Sequence, residues 1–196
     1  MKSPASDTGA DMHQWATDLF PICRSLTGDG VRSTLSYLQR LLPSLNVHEI
    51  PSGTRAFDWE VPREWVIRDA YIADVDGNRL VDFNTNNLHI VGYSTSVDAV
   101  LSKAELDEHL YSLPELPHAI PYVTSYYRET WGFCLTHDQR AQLGDGPFRV
   151  LIDSEHKVGS LTYGELVIHG DTSDEILLST YVCHPSMANN ELSGPV

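Results

Sequence analysis

Two helical stripes open the pattern of apolar positions. Between Met12 and Leu26 the residues Trp15, Leu19, Ile22, Cys23 and Leu26 fall at i, i+4, i+7, i+8 and i+11, which is one face of an α-helix. Pro21 lies inside that face and predicts a kink or a split, because proline has no amide hydrogen for the helical ladder. The run "SLTGDG" breaks the chain, and Thr27 or Asp29 can cap the next helix. Val31, Leu35, Leu38 and Leu42 form the second stripe, ended by Pro43. "NVHEI" then reads as a short strand stopped by "PSG", while residues 1–15 lack an apolar run and read as a frayed tail.

After Gly53 the period shortens. "WVIRDAYIAD", "LVDFN" and "LHIVGYS" are brief alternating runs separated by turn residues, as in a β-rich module. "SKAELDEHLYSL" interrupts them as a short helix, with Ser102 as cap and Glu105 three residues on. "LPELPHAIP" is an extended, proline-rich connection, and "HDQRAQL" predicts another short helix. Past "GDGP", the runs "FRVLIDSEH" and "SLTYGELVIHG" alternate and predict a hairpin through "KVG". "EILLSTYVC" is almost continuously apolar, as a central strand covered on both faces is. Together these elements predict a helix-flanked α/β sheet built from the two ends of the chain, residues 1–52 and 146–196. A β-rich insert, residues 53–145, lies between them.

Composition narrows the classes. A chain of 196 residues, 41% hydrophobic and 20% charged, can bury a core unaided. Its 27 acidic residues against 13 basic ones give a net charge of −14, which repels nucleic-acid backbones and anionic membrane surfaces. No apolar stretch approaches a membrane span, and the start of the chain lacks the apolar core of a secretory signal. Cys23, Cys134 and Cys183 are odd in number and widely spaced, so they form no disulfide framework and no thiolate zinc knuckle. Reduced cysteines of a cytoplasmic protein are the expectation.

The chemistry concentrates in "STYVCHPSMANNELSG". Open α/β sheets bind ligands beyond the carboxyl ends of their strands, and His184 stands at such an edge with Pro185 turning the backbone away. Neutral imidazole is a good zinc ligand, and oxygen donors a few residues on can share a metal with it. The plainer alternative is that His184 ends a strand and the asparagines cap the next helix. Cys183 beside it suggests a Cys/His pair, but neighbours in a strand point to opposite faces.

The stretches "LFPICRSLTGDGVRSTL", "WEVPREWVIRDAYI", "LVDFNTNNLHIVGYS", "PYVTSYYRETWGFCL" and "CHPSMANNELSG" resemble an aminopeptidase-like family of bacterial proteins. Its members are often labelled polysaccharide-biosynthesis proteins, and it is related to the di-zinc aminopeptidases. The resemblance runs from residue 19 to residue 194. It implies the mixed, helix-flanked sheet of the di-zinc aminopeptidase (phosphorylase/hydrolase-like) type, and one or two zinc ions. It also implies hydrolysis of an amide bond in a peptide or aminoacyl substrate by a metal-activated water. It makes His184 a zinc ligand and places the bridging carboxylate at Asn190, where this chain departs from the pattern. Glu191 next door can take that role, or the site holds one metal or none. The general base and further ligands of such enzymes lie later in the chain than Val196. The expectation is therefore an amino-terminal piece, without peptidase activity by itself, of a protein about twice this length. A binding module on a peptidase scaffold, serving surface-polysaccharide assembly, is the alternative. The oligomeric state is left open, a homo-oligomer included.

Two aromatic clusters remain. Trp59 and Trp65 flank Arg63, and Tyr126, Tyr127 and Trp131 flank Arg128. Each either lines a substrate groove or packs inside the insert, and Arg128 can meet a substrate carboxylate or a neighbouring acid. "GDGPF" and "TGDGV" are turns, not phosphate loops, since no Gly-Lys-Ser/Thr comes after them.

Overall fold

The structure, a computed structural model, describes residues 7–196. The chain divides into two compact units, one of residues up to 61 together with 159–196, the other of residues 62–158. In chain order the first unit holds α1 (Thr8–Leu19), α2 (Asp29–Leu41), β1 (Asn46–Pro51), β2 (Arg55–Ala56) and β3 (Trp59–Glu60). The second holds β4 (Glu64–Ala73), β5 (Arg79–Asp82), β6 (Val97–Leu101), α3 (Lys103–Asp107), β7 (Leu110–Tyr111), β8 (Phe133–Cys134), α4 (His137–Gln142) and β9 (Phe148–Lys157). The chain re-enters the first unit as β10 (Ser160–Glu165) and makes a wide helical turn at Ala188–Leu192.

The first unit follows its helical stripes. The Asp7 carboxylate caps α1 by accepting from the Ala10 amide at 3.3 Å. The helix stops at Leu19, two residues before Pro21, so the split is what the chain adopts. The frayed tail expected over residues 1–15 is helical from Thr8 onward; residues 1–6 of it lie outside the described residues. Leu19 packs with Val31, Leu35 and Leu38 of α2 and with Leu192 of the last turn. At the start of α2 a β-carbon on Gly30 would run into the Cys23 carbonyl, so only glycine lets this helix lie against the Cys23–Arg24 backbone. Strand β1 pairs antiparallel with β10, from Asn46 opposite Glu165 to Pro51 opposite Ser160.

The second unit is built on a four-stranded antiparallel sheet in the order β5-β4-β9-β6. Ala70, Ile72, Val81, Phe148, Val150 and Ile152 are buried on it. Trp65 is buried too, and its indole donates to the Ser94 carbonyl at 2.9 Å, which makes it a core residue, not part of a groove. Both short helices carry the expected caps. Ser102 and Glu105 exchange bonds at α3, and Thr136 and Gln139 do so at α4.

Two pairings differ from the pattern's prediction. β9 and β10 form no hairpin with each other: β9 lies between β4 and β6, and β10 pairs with β1. Alternation specifies a strand and its faces, not its partner. The run 175–183 forms no strand, and Ile176, Leu177 and Leu178 are 91, 89 and 90% exposed. A strand needs neighbours for its amides and carbonyls, and none of the described residues supplies them here. The architecture is a mixed α/β one of small sheets and a few helices.

Burial holds the imidazoles of His89 and His156 below their ordinary pKa, against the pull of bonds to the backbone of Cys134 and Tyr93. Below about pH 6.5 the unfolded chain takes up protons that these folded rings refuse. Their contribution to stability is intact above that pH and falls as the pH drops. Urea midpoints at pH 7.5 and 5.5, both figures set around the ordinary histidine value of about 6.5, are expected to differ, with the lower at acid pH. The difference should shrink in His89→Gln.

Candidate functional site

His184 is fixed by two buried charged side chains of the first unit. Glu191, fully buried, accepts from the His184 backbone amide through Oε1 at 2.8 Å and meets His184 Nδ1 through Oε2 at 2.7 Å. Arg24, also inaccessible, donates from Nε to the His184 carbonyl at 3.0 Å and from Nη1 to the Leu19 carbonyl at 2.7 Å. Arg24 Nε stands 4.0 Å from Glu191 Oε1, so the two buried charges offset each other. The guanidinium thus joins the end of α1 to the bend that carries the histidine.

Local structure produces this geometry. Pro185 and Ser186, the latter at φ 28°, turn the chain sharply after His184, and the Ser186 hydroxyl donates to the Phe20 carbonyl at 3.3 Å. The turn Ala188–Leu192 then drives Leu192 into the apolar core and Glu191, beside it, under His184. Burial lowers the Arg24 pKa, and the Glu191 charge pulls it back up. Arg24 Nη2 is buried without a hydrogen-bond partner among the described residues.

The sequence named His184, Asn190 and Glu191 together, and the structure brings two of them into contact. Asn190 is engaged by Tyr181: its side-chain oxygen accepts from the Tyr181 hydroxyl at 3.1 Å, and the Tyr181 ring lies 5.4 Å from that of His184. Cys183 comes closer than strand alternation allows, with Sγ 3.4 Å from His184 Nδ1. The alternation rule fails here because residues 175–183 are not a strand. Burial, followed by the Glu191 charge, pushes the Cys183 thiol up to about 11, so it is a thiol at neutral pH and no ready nucleophile. Arg24 is a site residue for which the sequence offers no positional signal, since it lies outside the apolar stripe of Trp15, Leu19, Ile22, Cys23 and Leu26.

Cys183, His184 and Glu191 hold one potential donor atom each within 4.8 Å of one another, the cluster of this kind among the described residues. The Glu191 oxygens are both engaged by His184, which makes Glu191 an orienting carboxylate. A carboxylate on Nδ1 directs a metal-ligating histidine to bind through Nε2. These residues fit one histidine's share of a metal centre. They do not fit a whole one, since zinc takes three or four protein donors.

The comparisons relate this chain to proteins named for a peptidase-like domain. The chain belongs to the family described as "Domain of unknown function (DUF4910)", which it matches over residues 13–196. It is 48% identical over 190 residues to a Clostridium acetobutylicum protein named "Putative polysaccharide biosynthesis protein with aminopeptidase-like domain". That match covers 97% of this chain and 44% of the relative. The fold superposes with a TM-score of 0.93 on the crystal structure of a "putative peptidase" from Clostridium acetobutylicum, at 48% identity. That match covers 96% of this chain and 44% of the other. The chain therefore spans less than half the length of these relatives. No helix among the described residues is long and apolar enough to cross a membrane.

Removing one partner of a buried charge pair costs about 3–5 kcal/mol, most of it the stranded charge. Arg24→Met is expected to destabilise the protein by that order in urea unfolding. Arg24→Met combined with Glu191→Leu should lose less than the two single losses added together.

Proposed function

We propose that this chain is part of a zinc-dependent, aminopeptidase-like hydrolase of the di-zinc type, cleaving an amide bond in a peptide or aminoacyl substrate. The observation that carries the reading is the seating of His184 by the buried Glu191 carboxylate, with Arg24 balancing its charge. Similarity to proteins named for an aminopeptidase-like domain and a peptidase supports it. Zinc in such a centre supplies a water activated for attack on the scissile carbonyl.

The residues of this chain prepare one ligand. By accepting a hydrogen bond from Nδ1–H, the Glu191 carboxylate selects the tautomer of His184 whose basic lone pair is on Nε2. The bonds to the His184 amide and carbonyl hold the backbone as well, so ring and main chain cannot drift apart. Burial of the Glu191–Arg24 pair keeps water from competing for those bonds. In this reading the other metal donors and the general base come from the part of the longer relatives that this chain does not cover. The free cysteines agree with a reducing, cytoplasmic setting.

Calorimetric titration of the natural full-length protein with zinc tests the reading. Binding is expected, lost or severely cut in His184→Ala. A 10- to 100-fold weakening is expected in Glu191→Gln, on the order found for carboxylates behind ligating histidines. Absence of zinc binding, or binding indifferent to His184, overturns it.

A second reading has its own observation. Asn190 is neutral and bonded to Tyr181, which suits a binding module on a peptidase scaffold, in line with the polysaccharide-biosynthesis name of the relative. On that reading the full-length protein hydrolyses no aminoacyl substrate, and Asn190→Asp creates no activity. Metal-dependent turnover of an aminoacyl anilide by the unaltered protein refutes it.

A further inference from the structure

Most cations of residues 62–158 are ion-paired, and the two exceptions line one cavity. Arg68 pairs with Asp153 at 2.6 Å, Arg79 with Asp69 at 2.8 Å, Arg140 with Asp107 at 3.2 Å and Arg149 with Asp98 at 2.6 Å. Lys103 pairs with Asp107 at 3.4 Å and Lys157 with Glu64 at 3.8 Å. Arg63 and Arg128, the other two cations of this stretch, have no carboxylate within ion-pair distance among the described residues, although acids outnumber bases there. Both line one cavity of about 450 Å³.

Three tyrosines line that cavity as well, beside Pro62 and Ser125. Tyr93, a buried non-glycine residue at φ 65°, turns its ring onto Trp65 at 5.9 Å and against the edge of Tyr126 at 5.0 Å. A left-handed backbone at a bulky residue persists only where its surroundings enforce it, and such positions gather at binding sites. The Tyr126 hydroxyl lies 2.8 Å from that of Tyr122. Tyr127, 82% exposed, stands edge-on to Tyr126 at 6.5 Å and leaves an uncovered ring face at the rim. Glu129 is the cavity's one acid and His156 its one imidazole. Two guanidiniums against one carboxylate leave the lining positive, in a chain whose net charge is −14.

We infer that this cavity in the second unit binds a small organic anion, a carboxylate carried on a ring, with Arg63 and Arg128 taking the carboxylate and the tyrosines taking the ring. Arginine presents a planar fork that matches a carboxylate with two parallel hydrogen bonds. Tyrosine faces accept the flat or C–H side of a ring. A sugar acid and an aromatic acid share this chemistry. Glu129 can accept hydroxyl groups of the former, and Tyr127 can stack on the latter.

Calorimetry on the full chain with glucuronate and benzoate tests the inference, with methyl glucoside and benzamide as the neutral partners. Chelator is present, so the outcome does not depend on any metal. At least one carboxylate is expected to bind, about tenfold or more tighter than its neutral partner, as expected of a charge-assisted contact. Arg63→Gln and Arg128→Gln, both at exposed positions, should each weaken binding by about tenfold, while Arg68→Gln, outside the cavity, leaves it unchanged. Binding of glucuronate alone assigns the site to sugar acids, and binding of benzoate alone assigns it to aromatic acids. No binding of either, equal binding of the neutral partners, or an equal loss in Arg68→Gln overturns the inference.

Discussion

The buried contact of Arg24 and Glu191 across His184 is the constraint on which the first unit depends. A carboxylate with no access to water is tolerated only when its oxygens are bonded and its charge is offset. Here the His184 amide and ring nitrogen occupy the oxygens, and a guanidinium rooted at the end of α1 offsets the charge. That requirement explains the local sequence. Gly30 lets α2 lie close against Cys23 and Arg24, and Leu192 anchors the turn that delivers Glu191. The histidine is therefore positioned by groups from both ends of the chain.

The second unit uses its charges differently. Its ion pairs lie largely on exposed strand and helix surfaces, where each contributes little to stability. What they accomplish is to remove cations from circulation. With the other bases of this stretch paired locally, Arg63 and Arg128 are the cations that line the cavity without a carboxylate in ion-pair distance among the described residues. The aspartates at 69, 98, 107 and 153 hold their partner arginines at positions outside the cavity lining.

Features governed by nearest neighbours were legible in the sequence. The caps at Ser102 and Thr136, the stripe Val31, Leu35, Leu38 and the short strand at Asn46–Pro51 each arise from a few consecutive residues. Partner choice was not legible. Nothing in "FRVLIDSEH" says that it joins β4 and β6, because alternation fixes faces and leaves the edge partner to the whole fold. The candidate site divides the same way. His184 and Glu191 are close in sequence and were named. Arg24 is 160 residues from His184, and no periodicity links them. Likewise, one step along a wide helical turn separates Asn190, whose side-chain oxygen accepts from Tyr181, from Glu191, which is buried.

The uncovered segment at Ile176–Leu178 bears on how the molecule behaves in bulk. Its composition is apolar, uncharged and free of proline, which are the traits of self-stacking cross-β segments. Asp174 and Glu175 stand directly before it, with Asp171 three residues further back, in the gatekeeper position where like charges keep neighbouring copies apart. Like charges on these carboxylates oppose association of copies through the apolar run, and salt, by screening them, weakens that opposition.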